Sequence, residues 1–261
     1  MISKPRTLIS PTKILLLGDT HGDTNDAQAY IQLAHNRGCQ AVLQLGDFGF
    51  IGQGVDRFIY KVNRTLERLD MYLYWVDGNH ENHDRLESIP LNGEGLRPIA
   101  NRIYHLPRGF RWEWQGIKFL ACGGAYSIDK GRRKAYVSWW PQETITQGDV
   151  YRCGTDLVDV LVSHDVPWGV LDPYGPQTGG GDKDLWPTST ANRKLLRAVL
   201  DNVDATMVIH GHTHHRKSTT MLREDGSRVQ VEGYACNGME GHADVWDLKD
   251  AKETLDRLRA T

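Results

Sequence analysis

The segment Val208-Ile209-His210-Gly211-His212-Thr213-His214-His215 sets four imidazoles within six residues, directly after an apolar run. Neutral imidazole is the commonest side-chain ligand for metals. Gly211 permits a backbone turn that other residues resist, so His212 and His214 can be aimed at one point. Earlier in the chain, other short segments place ligand-type residues after apolar runs. They are Gly18-Asp19-Thr20-His21-Gly22, Gly46-Asp47, Gly78-Asn79-His80-Glu81 and Ser163-His164-Asp165. Taken singly, each also reads as a polar turn, a helix cap or a structural histidine.

The elements that would position these groups follow from periodicity. Ile14–Leu17, Ala41–Leu45 and Tyr72–Val76 are short apolar runs typical of strands covered on both faces. Between them, residues from about Asn25 to Asn36 and from Asp56 to Leu69 keep helical spacing, the first with Ala27, Ile31 and Ala34 on one face. Successive strand–helix units predict a mostly parallel sheet with right-handed crossovers. Ligands bind such sheets beyond the carboxyl ends of the strands, which is where Asp19, His21, Asp47, Asn79 and His80 fall. Gly93 to Arg108 reads as irregular. Phe110–Trp114 and Ile117–Cys122 around Gly116 read as a hairpin in a second sheet region. Leu157–Val162 and Met207–Ile209 are further strands, and Ser189 or Thr190 is expected to cap the helix between them. Strands at Lys217–Leu222, Val229–Ala235 and Val245–Leu248 and a helix over Lys249–Arg259 complete the chain.

With 261 residues, 39% hydrophobic and 25% charged, the chain has an ordinary soluble composition and can bury a large core. Residues 1–261 are expected to form a single domain. The net charge of −2 provides no global field toward nucleic acid or membrane. Cys39, Cys122, Cys153 and Cys236 lie far apart, as suits a reducing compartment. No apolar run reaches membrane-spanning length and the start lacks the apolar segment of a signal peptide, so a cytoplasmic location is expected.

Two stretches carry further candidate groups. Gly123 to Lys134 combines glycines with Asp129 and the cations Lys130, Arg132 and Arg133, a set that fits either a phosphate-contacting loop or a solvated basic turn. Trp139-Trp140-Pro141 fits base stacking, although tryptophans more often anchor a core or a loop. Pro167 to Pro187, rich in glycine and proline, reads as a long loop beside the site.

In sequence the motifs run Asp-x-His, Gly-Asp, Gly-Asn-His-Glu, His, Gly-His-x-His, and this series over Gly18 to His214 resembles the calcineurin-like metallophosphoesterase family. The Gly-Gly-Ala-Tyr-Ser-x-Asp and Trp-Trp-Pro segments look like those of its small bacterial and phage members. The resemblance implies a four-layer α/β/β/α sandwich of two mixed sheets with a two-metal centre between their ends. It implies that Asp19, His21, Asp47 and His214 hold one metal and Asp47, Asn79, His164 and His212 the other, with Asp47 bridging. His80 would face the substrate as general acid, and Asn79 would also help offset charge on the phosphoryl oxygens. His210 and His215 match no ligand position. Carboxylate, amide and imidazole donors suit two divalent ions, manganese first, with iron, zinc or nickel also accommodated. Such a pair clamps a phosphoryl group and acidifies a water for in-line attack.

The function implied is hydrolysis of phosphodiesters, cyclic nucleotides included, and of phosphomonoesters, with a small phosphoester or nucleotide as substrate. A nuclease is the alternative, but no long basic stretch supports it. Where many relatives have Gly-Asp-x-x-Asp, this chain has Gly46-Asp47-Phe48-Gly49-Phe50, which argues against a protein phosphatase. A non-catalytic scaffold fits poorly with a ligand series complete through His80. Neither the substrate nor the oligomeric state is set by the sequence.

Overall fold

The computed structural model describes residues 8–170 and 186–260. The chain runs β1 (Lys13–Leu17), α1 (Thr24–Asn36), β2 (Ala41–Gln44), α2 (Val55–Arg68), β3 (Tyr72–Trp75), α3 (His83–Ser88), β4 (Arg97–Ala100), β5 (Ile103–His105), β6 (Arg111–Trp114) and β7 (Ile117–Cys122). It continues through α4 (Gln147–Cys153), β8 (Val160–Ser163), α5 (Trp186–Asn202), β9 (Met207–His210), β10 (Lys217–Leu222), β11 (Arg228–Gly233), β12 (Ala243–Asp247) and α6 (Leu248–Arg259). Short 3₁₀ turns occupy Lys130–Arg132 and Pro141–Glu143.

Two six-stranded sheets result, ordered β12-β1-β2-β3-β5-β4 and β10-β11-β9-β8-β7-β6. Each has a parallel centre. β1, β2, β3 and β5 run together in the first sheet, and β7, β8, β9 and β11 in the second. Antiparallel strands close the edges. Strand alternation then assigns each side chain to a layer. In β1, Ile14 and Leu16 face the space between the sheets, while Leu15 and Leu17 meet Ala27, Ile31 and Val62 of α1 and α2. In β8, Val160 and Val162 face inward and Leu161 joins Leu196, Val199 and Leu200 of α5. The architecture is the expected α/β/β/α sandwich. Among the described residues, no helix is long and apolar enough to cross a membrane.

Local chemistry explains the element boundaries. Asp23 caps α1, its carboxylate accepting from the N–H groups of Asn25 and Asp26 at 2.9 and 3.1 Å. Thr146 and Asp149 form a reciprocal capping box at α4. Several sequence expectations need correction: β8 starts at Val160, not Leu157, and Leu248 opens α6 and does not end β12. The stretch read as irregular contains β4 and β5, strands too short to show a period, with Pro98 tolerated because β4 is an edge strand. α5 starts at Trp186, so Ser189 and Thr190 lie within it and do not cap it. Pro187 sits in its first turn, where the missing N–H costs nothing. The second strand of the β10–β11 pair ends at Gly233, short of Ala235. Of the Gly/Pro-rich loop, residues 171–185 lie outside the described residues.

Trp114 is fully buried between the sheets, and its indole N–H donates to the Ile9 carbonyl at 2.7 Å. Trp114→Ala removes a large core side chain and one part-buried hydrogen bond. It should lower unfolding free energy by about 3–5 kcal/mol, read from the midpoint of urea denaturation. An unchanged midpoint would remove Trp114 from the folded core.

Candidate metal centre

The parallel strands bring their carboxyl ends to one edge of the sandwich. Asp19 and His21 follow β1, Asp47 follows β2, Asn79 and His80 follow β3, His164 follows β8, and His212 and His214 follow β9. Two clusters form there, Asp19 with His21 and His214, and Asp47 with His164 and His212. In each, one ligand atom per residue lies within 4.8 Å of the others. Asp47 faces both. Its Oδ1 is 3.4 Å from His164 Nε2, and its Oδ2 is 3.5 Å from His21 Nε2. Asp19 Oδ2 lies 3.1 Å from His214 Nε2, and the Asn79 Oδ1 is 3.2 Å from His164 Nε2.

The backbone is bent to achieve this. His21, Asp47, His212 and His214 all adopt left-handed conformations, with φ of 46°, 50°, 63° and 59°. Each such non-glycine residue costs on the order of 1–3 kcal/mol and persists where the surroundings over-determine it. Two glycines are required by close approach. A Cβ on Gly78 would sit 2.1 Å from Asp47 Oδ1, and one on Gly211 would sit 2.2 Å from Asp19 Oδ1.

The donor set fits two divalent cations. Carboxylates with 0 and 1% exposure point at clustered imidazoles, and the outer nitrogens of two rings are already engaged. His164 Nδ1 donates to the Leu45 carbonyl at 2.7 Å, and His21 Nδ1 lies 3.1 Å from Asn237 Oδ1. These contacts leave Nε2 on each ring facing inward, free to act as a ligand atom. Backbone N–H groups hold the carboxylates, His80 donating to Asp47 at 2.8 Å and His212 to Asp19 at 3.0 Å.

The electrostatics favour positive charge between the two carboxylates. Burial disfavours a charged His21, but the Asp47 hydrogen bond and the Asp47 and Asp19 charges raise it to about 9. Burial likewise opposes charge on His164, and the same carboxylates lift it to about 10. Burial would raise Asp47, but the His164 charge and the hydrogen bonds from His164 and His21 hold it well below the usual carboxylate range. His212 is pushed down to about 3 by burial and by the neighbouring His164 charge.

The remaining predicted residues divide. His80 is side-on to the cluster, its Nε2 3.9 Å from Asp47 Oδ2, and the Arg133 guanidinium touches that same nitrogen. Burial, then the Arg133 charge, lower His80 below the ordinary histidine value. Arg133 is also braced by Asp129, its Nε donating at 2.9 Å. Lys130 instead rests on the Trp139 ring, 4.0 Å from its centroid, and Arg132 is exposed. Trp140 is a buried anchor whose indole donates to Asp84 at 3.0 Å. Asn79 Nδ2 donates to Ser127 Oγ at 3.0 Å, so the amide oxygen, not the amide N–H, faces the carboxylate–imidazole cluster.

Sequence reasoning gave no role to several supporting groups. Glu81 is fully buried and accepts the N–H groups of Phe48 and Phe50 at 2.8 and 2.7 Å, pinning the loop after Asp47. Burial and the Asp47 charge push its carboxyl well above the usual range. Asn237 and Ser127 lie in loops after β11 and β7, which are also parallel strands. That shared position at a strand end was the available signal. Asp77 accepts from Arg108 at 2.6 Å, and Arg108 also donates to the Gln142, Glu143 and Thr144 carbonyls.

Asp47 and Asp19 favour protons on His21 and His164 above neutrality, and a cation taking those two nitrogens as ligands would have to displace them. Calorimetry in buffers of different ionisation enthalpy should show proton release at neutral pH, with Mn²⁺ affinity rising from about pH 6.5 to 9. The raised values also stabilise the metal-free fold fully below about pH 6.5, and that contribution is lost as pH rises through about 9 and 10. Metal binding that is independent of pH over that range would contradict the arrangement.

The model of the calcineurin-like phosphoesterase family matches residues 12–216, well over half of the chain. No curated protein matches. One solved structure superposes with a TM-score of 0.56 at 12% identity, covering 92% of this chain and 96% of the other. A Thermus thermophilus protein gives 0.47 at 13% identity over 87% and 90% of the two chains. A dimetal phosphatase from Danio rerio gives 0.45 at 14% over 87% and 88%. With the family model spanning every motif from Asp19 to His214, this chain belongs to the calcineurin-like phosphoesterases.

Proposed function

We propose that residues 1–261 act as one domain that hydrolyses phosphoesters with two divalent ions, manganese first among them, and prefers diesters of small nucleotides to monoesters. The observation that carries this reading is the placement of Asp47, whose two carboxylate oxygens address two separate clusters of ligand-type side chains. Asp19, His21, Asp47 and His214 would hold one ion, and Asp47, Asn79, His164 and His212 the other. When bound, the ions supply Lewis acidity toward phosphoryl oxygens and lower the pKa of water.

The protein's own groups do the rest. The Leu45 carbonyl and Asn237 fix the tautomers of His164 and His21. Arg133, with donors only, holds a neutral His80 through its Nε2 lone pair. An anionic phosphoester offers Arg133 a better partner and adds negative charge beside the ring. Both changes favour a protonated His80, ready to deliver its proton to the leaving oxygen. Lys130 and Arg132 extend the same basic loop toward the substrate. A cleft of about 540 Å³ beside His21, bordered by Arg57 and Lys61, leaves room for an organic group attached to the phosphate. The four cysteines, none in a disulfide, support a reducing, cytoplasmic setting.

The testing experiment compares wild type, Asp47→Ala and His80→Ala on an alkyl or nucleoside ester and on a p-nitrophenyl ester, with metal content measured alongside. Asp47→Ala should lose activity and most of its metal. His80→Ala should keep its metal and lose about 10²–10⁴-fold on the ester with the basic leaving group, and much less on p-nitrophenyl ester, whose leaving group needs no proton. Two ions retained by Asp47→Ala would end the shared-ligand reading. Equal losses by His80→Ala on both esters would end the proton-donor reading. Replacing Lys130, Arg132 and Arg133 by alanine should raise KM more than it lowers kcat. Unchanged kinetics would make the loop a solvated turn.

A further inference from the structure

We propose that Ser127 and Glu143 are positioning residues that fix which end of the Asn79 amide faces the metal centre, and so set affinity at the ion position containing Asn79. The inference rests on the reading of Asn79 as a ligand.

Both residues are buried, at 1 and 0% exposure, and neither touches the two carboxylate–imidazole clusters directly. Glu143, in the turn Pro141–Glu143, receives two hydrogen bonds from Ser127. The Ser127 N–H donates to Oε1 at 2.8 Å and its hydroxyl to Oε2 at 2.7 Å. An ionised carboxylate has no proton to return. The hydroxyl proton of Ser127 is therefore committed to Glu143, and Ser127 Oγ can offer Asn79 only a lone pair. Of the two ends of the Asn79 amide, only Nδ2 can satisfy it, and Nδ2 lies 3.0 Å away. Oδ1 is then turned toward His164 Nε2 at 3.2 Å and toward the Asp47 cluster. A flipped amide would set its carbonyl against the Ser127 lone pair and present an NH₂ group, which cannot ligate a cation, to the centre.

The frame that carries Glu143 is tied to the strand end that carries Asn79. Arg108 donates to the carbonyls of Gln142 and Glu143 at 2.9 and 3.1 Å and to the Asp77 carboxylate at 2.6 Å. Asp77 is two residues before Asn79 and its carboxylate also meets His105 Nε2 at 3.2 Å. A chain of donors therefore runs from Asn79 to Ser127 to Glu143 with one polarity throughout. Burial raises Glu143 to about 7, against the two Ser127 hydrogen bonds that hold it down.

Glu143→Gln distinguishes polarity from packing. It keeps the shape, but the substituted amide can donate its own NH₂ to Ser127 Oγ. Ser127 is then free to donate to Asn79 and to accept the flipped amide. The experiment titrates Mn²⁺ into metal-free wild type, Asn79→Ala, Ser127→Ala, Ser127→Thr and Glu143→Gln. It follows bound Mn²⁺ by paramagnetic resonance and calorimetry at about pH 8, where Glu143 is ionised. Thermal unfolding of each metal-free variant is recorded in parallel. The expected result is that Asn79→Ala, Ser127→Ala and Glu143→Gln all weaken the same one of two ion positions, the latter two by about 10–100-fold. Ser127→Thr restores it, and the other position is unchanged. If Asn79→Ala weakens a position but Glu143→Gln binds both ions like wild type, the positioning inference is overturned and the ligand reading survives. If Asn79→Ala itself binds both ions normally, the ligand reading fails and the inference with it. Should Ser127→Ala unfold, Glu143→Gln decides the matter alone.

Discussion

A charged carboxylate with 1% exposure cannot stand alone in a protein interior, and Asp47 is that group. Its compensation comes from all sides. His164 and His21 face its two oxygens, His80 approaches at 3.9 Å, and the His80 backbone N–H donates to it. Those groups come from both sheets, so satisfying Asp47 requires the two sheets to be registered against each other at their carboxyl ends. The inter-sheet core of Ile14, Leu16, Phe119, Val160 and Val162 supplies the apolar burial that holds this registration.

The same requirement explains the strain. A ligand reached through an ordinary turn would point along the strand or back over the sheet. Left-handed backbone at His21, Asp47, His212 and His214 redirects each side chain into the shared space. Glycines at 78 and 211 let the neighbouring backbone pass within contact distance of the two carboxylates. Among the described residues, half of the eight non-glycine left-handed positions therefore lie at this one site, the others being Asp70, Gln115, Tyr136 and Asp204. That distribution is what a preorganised cation site requires, because rigid surroundings keep several ligands in place that would otherwise repel or relax.

Around the ligand-type residues lies a ring of buried polar supports, each satisfied by more than one partner. Glu81 takes two backbone N–H groups, Arg108 joins Asp77 to three carbonyls, and Ser127 commits its donors to Glu143. Such networks rigidify only when every member is paired. Here the pairing also carries direction, since donors and acceptors alternate from Glu143 inward. Arg133 is the exception in this neighbourhood. It is held to the basic loop by Asp129 but directed at His80, between the interior network and solvent.

The ligand-type residues and the strand ends that carry them were legible in the sequence because both signals are local. An apolar run of four or five residues, a glycine and an aspartate or histidine can be recognised without knowing what lies opposite. The parallel order followed from alternating strand and helix periods, whereas β4 and β5 were not legible because Arg97–Ala100 is not an apolar run and Ile103–His105 is only three residues long; β5 is placed by pairing with β3, and β4 by pairing with β5. What only the tertiary structure decided are relations between distant segments. His21 meets Asn237 across 216 positions, His164 meets Asn79 across 85, and Asn79 meets Ser127 across 48. Whether Arg133 or Lys130 reaches His80, and which end of Asn79 faces inward, depends on a few ångströms and on who donates to whom. Neither quantity is encoded in spacing along the chain. Both arise when two sheets, each ordered by its own hydrophobic pattern, close on a common core.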